Sequence, residues 1–163
     1  MTVRGVTRVV SAREMEVGRF YLEASQGSEP TLFQCIQTAI PFEGSTKQMA
    51  LVYSLDGMPN LAIHDINWYE TLVEMPNVSV RVDPPSISGT GTTTSLRMNT
   101  LIVIGSEAVI NVPVGSRGWQ SININTGRTI EQAIRREWVS FARWSLVVDE
   151  AGEEITIASF GGA

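Results

Sequence analysis

One histidine (His64), one cysteine (Cys35) and one lysine (Lys47) in 163 residues leave this chain short of the side chains on which most enzymes rely. General acid–base and nucleophilic catalysis require titratable or nucleophilic groups set close together. A single cysteine cannot close an internal disulfide, so nothing here demands an oxidising compartment. Within LFQCIQ (32–37) Cys35 has apolar residues on both sides and reads as a small core residue rather than a nucleophile. One histidine and one cysteine argue against a transition-metal site, which needs several converging ligands. No apolar run approaches the roughly 18 residues of a membrane span. The segment MTVRGVTRVVSARE carries three arginines and no acid before Glu14, but lacks the apolar stretch of a secretory signal.

Charge is scarce as well. Charged residues make up 18% of the chain and the net charge is −5, whereas phosphate binding needs a basic face. The eleven arginines are scattered; only Arg135 and Arg136 are adjacent, flanked by Glu131 and Glu137. Neither nucleic acid nor membrane is expected as a partner. A surface this poor in charge leans instead toward contacts between subunits.

What the chain does have is alternation of apolar and polar residues, interrupted at short intervals by turn residues. In the first half VGRFYLE (17–23), TLFQCIQTA (31–39), QMALVYS (48–54) and NLAIHD (60–65) read as strands of an antiparallel meander. The Asp56-Gly57 pair marks a hairpin. Residues 67–75 break the pattern, with apolar positions 68, 69, 72 and 73 after Asn67, and predict a turn or two of helix before Pro76. VSVRV (78–82) returns to a strand.

Residues 83–95 (DPPSISGTGTTTS) contain one large apolar residue, Ile87, and cannot bury enough surface to fold alone. They form either an arm lying on a neighbour within a single domain, 1–163, or a linker between two small modules, 1–82 and 96–163. The single domain is preferred, because each half alone is marginally small. Beyond it, residues 96–104, 108–112 and 119–125 read as strands. Thr129 and Gln132 form a capping box, and Ile130, Ala133, Ile134, Trp138 and Phe141 recur near 3.6 residues, predicting a helix over 130–137. The chain ends with a hairpin of residues 144–148 and 154–160.

Few residues carry candidate chemistry. His64 and Asp65 are adjacent on a strand and point to opposite faces, so they cannot form a dyad. The acidic run 149–154 lacks the oxygen spacing of a calcium loop and reads as a solvated turn. The glycines at 89–91 and 115–118 fit no phosphate-binding pattern. Thirteen glutamates and four aspartates are available for chemistry between paired carboxylates, yet no spacing selects a pair. Trp119, after a glycine-rich loop, is the one residue placed to stack on a sugar or anchor a protein. Arg117 in that loop and Ile87 complete the candidate contact residues.

The sequence therefore predicts a mainly β protein, an antiparallel barrel or sandwich with one short helix, and no catalytic, cofactor or metal site. The expected role is that of a non-catalytic structural subunit that self-associates or joins other protein subunits in a virion or the cytoplasm. A bacteriophage head-decoration, connector or tail component fits by analogy of architecture. The alternative is a carbohydrate- or protein-binding module that uses Trp119.

Overall fold

Tight turns built on Asp, Asn and Gly divide the chain into short strands. The computed structural model describes residues 8–23, 27–37, 48–67, 70–91, 100–114, 118–130 and 137–161. In chain order the strands are β1 (Val9–Ser11), β2 (Phe20–Glu23), β3 (Thr31–Cys35), β4 (Gln48–Leu55), β5 (Met58–Ile66), β6 (Thr71–Met75), β7 (Val78–Val82) and β8 (Ile87–Gly91). They continue as β9 (Leu101–Ile104), β10 (Glu107–Pro113), β11 (Trp119–Asn123), β12 (Arg128–Ile130), β13 (Trp138–Phe141), β14 (Trp144–Glu150) and β15 (Glu153–Phe160). They form three open sheets, ordered β1-β6-β2-β3-β4-β5, β12-β11-β10-β9-β13-β8 and β15-β14-β7. The architecture is mainly β, antiparallel and sandwich-like; no sheet closes into a barrel.

The predicted meander is present, with β2, β3, β4 and β5 adjacent in the first sheet. Asp56 (φ 50°) and Gly57 (φ 71°) both adopt left-handed backbone, which is the turn that matches the twist of a two-residue hairpin. Ala151 (φ 56°) and Gly152 (φ 86°) close the last hairpin in the same way. There the Asp149 carboxylate accepts the Gly152 N–H at 3.1 Å, so the acidic turn stabilises itself.

The principal core draws on all three sheets, with Leu51 and Tyr53 from the first, Ile110 and Ile122 from the second, and Trp144 and Phe160 from the third. Trp144 and Phe160 stack at 4.1 Å and 18°, and Tyr53 meets Phe160 edge-on at 6.2 Å. A second cluster, including Tyr21, Phe33, Cys35 and Leu72, lies on the other face of the first sheet. A third, of Ile102, Ile104 and Val109 with Ile130 and Trp138 against it, lies on the other face of the second. Cys35 is fully buried, as its sequence context implied.

Burial on both faces accounts for one misread segment. Of residues 67–75, expected to be helical, 68 and 69 lie outside the described residues and Thr71–Met75 is β6, where Leu72 packs into the second cluster and Met75 on the principal core. A strand with two apolar faces loses its alternation and imitates a helical pattern. The helix predicted over 130–137 gives way to strands at its ends, where Ile130 and Trp138 repeat at a helix-like spacing because both pack on the third cluster. Ile130 closes β12, Trp138 opens β13, and residues 131–136 lie outside the described residues.

The stretch predicted as an arm or linker is built into the fold over residues 83–91; residues 92–95 lie outside the described ones. Pro84–Ser86 makes one 3-10 turn and β8 pairs with β13. The Trp138 ring lies along Gly89 and Gly91, where an added Cβ would come within 3.6 and 2.9 Å of it. At its two glycines the strand thus takes its apolar cover from an indole on its neighbour. Across the chain, β7 from the first half pairs with β14 near the end.

A backbone seam joins the first and second sheets. Gln37 donates its N–H to the Gly127 carbonyl at 2.9 Å, and Thr129 of β12 donates to the Gln37 carbonyl at 3.3 Å. The fully buried Gln34 amide donates to the Gly18 and Ile124 carbonyls at 3.0 and 2.6 Å and accepts the Tyr53 hydroxyl at 2.8 Å. Gly127 (φ 69°) sits so close that a Cβ would lie 2.6 Å from the Gly18 nitrogen and 2.7 Å from the Cys35 oxygen. Only glycine fits there.

Candidate functional site

The three predicted contact residues do not converge. Trp119 opens β11 and is 39% exposed, and Ile87 opens β8 and is 57% exposed. Four strand spacings separate β11 from β8 in their sheet, about 19 Å. Arg117 lies outside the described residues.

His64 and Asp65 are both exposed on β5, on opposite faces of the strand. His64 lines a surface pocket of about 340 Å³ together with Glu23, Thr31, Asp65, Asn67 and Glu70. Partial burial raises the Glu23 carboxyl above the usual carboxylate range, and the nearby charge of Glu70 pushes the same way. No group of three or more His, Cys, Asp or Glu side chains is placed to hold a metal ion among the described residues. No helix among them is long and apolar enough to cross a membrane.

A larger groove, about 480 Å³, lies where the three sheets meet. Val78, Val80 and Val82 of β7 form one wall, and apolar residues such as Phe20, Leu101 and Ile124 share the rest with the polar Asn77, Ser106 and Asn125. Its one charged side chain, Arg19, is committed to Glu74 at 3.3 Å and Glu16 at 3.7 Å. Glu74 is itself buried and also held by Arg8, so the groove presents apolar surface without an uncompensated charge.

The groove runs along an open strand edge. β7 pairs with β14 on one side, and on the other no strand pairs with it among the described residues. Asp83 donates its N–H to the Arg143 carbonyl at 3.1 Å. With Arg81 opposite Ser145 and Ser79 opposite Val147 in the same ladder, alternation turns the backbone groups of Ser79 and Arg81 toward β14. Those of Val78, Val80 and Val82 therefore point out at the free edge. Their side chains pack partly on the principal core. The Ser79 and Arg81 side chains are exposed on the outer face, where Arg81 pairs with Glu154 at 2.6 Å.

Sequence reading found β7 as a strand but not as an edge. The available signal was VSVRV itself, an alternating strand that reads nearly the same in both directions. Elsewhere Asn111 and Ser121, cross-strand partners on β10 and β11, each bury an oxygen without a hydrogen-bond partner, as Gln120 does both its amide atoms. None of them lines the groove. Set against models of protein families, curated proteins and solved structures, the chain matches none.

Proposed function

We propose that this chain is a non-catalytic structural subunit whose work is to join protein chains into a larger assembly, of the kind that decorates, connects or extends a bacteriophage virion. The observation that carries the reading is the edge of β7, which no strand pairs among the described residues, beside a valine-walled groove whose one charged side chain, Arg19, is itself paired. Open strand edges recruit other chains, which is why proteins normally cover or disrupt them. Supporting it, Cys35, the one thiol of the chain, is locked in the core. The virion setting rests on architecture and composition alone. The test is the native mass of the chain, purified and in the extract of its source. The subunit should sediment within a multi-copy particle. A chain that runs as a free monomer in both overturns the reading.

A second reading has its own observation. Trp119 follows the turn in which Val114 donates to the Gly118 carbonyl at 2.8 Å, and keeps 39% of its surface exposed at the end of β11. A carbohydrate- or protein-binding module would use that indole as its platform.

A further inference from the structure

We propose that β7 pairs edge to edge with β7 of a second copy, antiparallel about a two-fold axis at Val80. This inference rests on the assembly reading and names the occupant of its open edge.

The first argument is that β7 is the sheet edge among the described residues with the least against such pairing: its one device is the charge of Arg81, which Glu154 compensates at 2.6 Å. β1 and β12 are only three residues long. β5 carries Pro59 and a register shift against β4. β8 is interrupted by two glycines and shifts register against β13. β15 shifts register against β14 and exposes Glu153 and Glu154. Very short strands, prolines, bulges and charge are the usual means of keeping edges apart. β7 runs five residues in unbroken register, without proline or glycine.

The second argument is self-complementarity. In V-S-V-R-V the outward backbone groups belong to residues 78, 80 and 82. Antiparallel pairing about Val80 sets Val80 opposite its copy and Val78 opposite Val82, giving three hydrogen-bonded pairs and about six hydrogen bonds. The intervening Ser79 then faces Arg81 of the other copy, where side chains approach most closely. No like charges meet, and each Arg81 retains its own Glu154 at 2.6 Å. The valines of both copies stay on the side of the groove, whose charge is already compensated. The interface is isologous, as a two-fold dimer requires.

The test uses the full chain in sedimentation equilibrium over a wide concentration range. The wild type should show a monomer–dimer equilibrium. Val80→Pro removes an outward N–H without touching the β14 ladder, so it should raise the dimer dissociation constant about tenfold or more. Ser79→Lys, set opposite Arg81, should weaken the dimer, and Ser79→Glu should tighten it by a few-fold. The opposite signs test the register, and they remain available if Val80→Pro fails to fold. A wild type monomeric at every concentration overturns the pairing, as does a dimer indifferent to all three substitutions. Failure of the assembly reading is distinct: the chain would dimerise through β7 yet be found in no larger particle.

Discussion

The seam between the first two sheets and the edge of β7 are both lines of backbone polar groups, and they are treated in opposite ways. At the seam the Gln37 and Thr129 N–H groups have carbonyl partners, and Gln34 supplies a side-chain bond to the Ile124 carbonyl where the strands cannot reach. At β7 the outward groups of Val78, Val80 and Val82 have no strand beside them among the described residues. Buried backbone groups must be paired within the chain or the fold is lost. Groups at an open edge are satisfied by water until another strand arrives. The seam holds one chain together, and the edge is where a second chain can add.

Breaking the seam should therefore cost folding. Gly127→Ala forces a Cβ to within 2.7 Å of two backbone atoms at a φ of 69°, and should lower stability by about 3 kcal/mol or more in urea unfolding. A loss under about 0.5 kcal/mol would mean the sheets do not meet this closely. Tyr53→Phe strips the donor from the Gln34 oxygen, and should cost about 1–2 kcal/mol. It should also change the alkaline limb of the stability curve. Burial pushes the Tyr53 hydroxyl well above its ordinary value of 10.0. Since the folded value is the higher one, the stability tied to this group is intact below pH 10.0 and is lost as pH rises beyond it. Wild type should weaken more steeply than Tyr53→Phe in that range, and parallel curves would contradict the buried hydroxyl.

Much of the scaffold was legible in the sequence because turn chemistry is local. Asp56-Gly57 announces its hairpin with two residues that tolerate left-handed backbone, and Gly152 within the acidic turn 149–153 marks the last one, where Ala151 adopts the same backbone without that tolerance. The errors come from neighbours distant in the chain. Ile130 and Trp138 mimic a helical face because two separate strands bring both onto the third cluster. The glycines of β8 looked unable to pack because their cover, Trp138, lies about 50 residues further on. The candidate site suffered most. Trp119 and Ile87 were chosen for their local setting, whereas an open edge is a property of strand order, which no single segment records.

The most direct measurement of the contrast is amide hydrogen exchange at two residues in one sample. Gln37 donates to the Gly127 carbonyl, and Val80 points outward from β7. In dilute solution the Gln37 amide should be strongly protected while Val80 exchanges nearly as fast as an unfolded amide. On raising the concentration Val80 alone should gain protection, in step with dimer formation. A Val80 amide already protected in the dilute monomer would contradict the account, because the edge would then be covered by the chain itself.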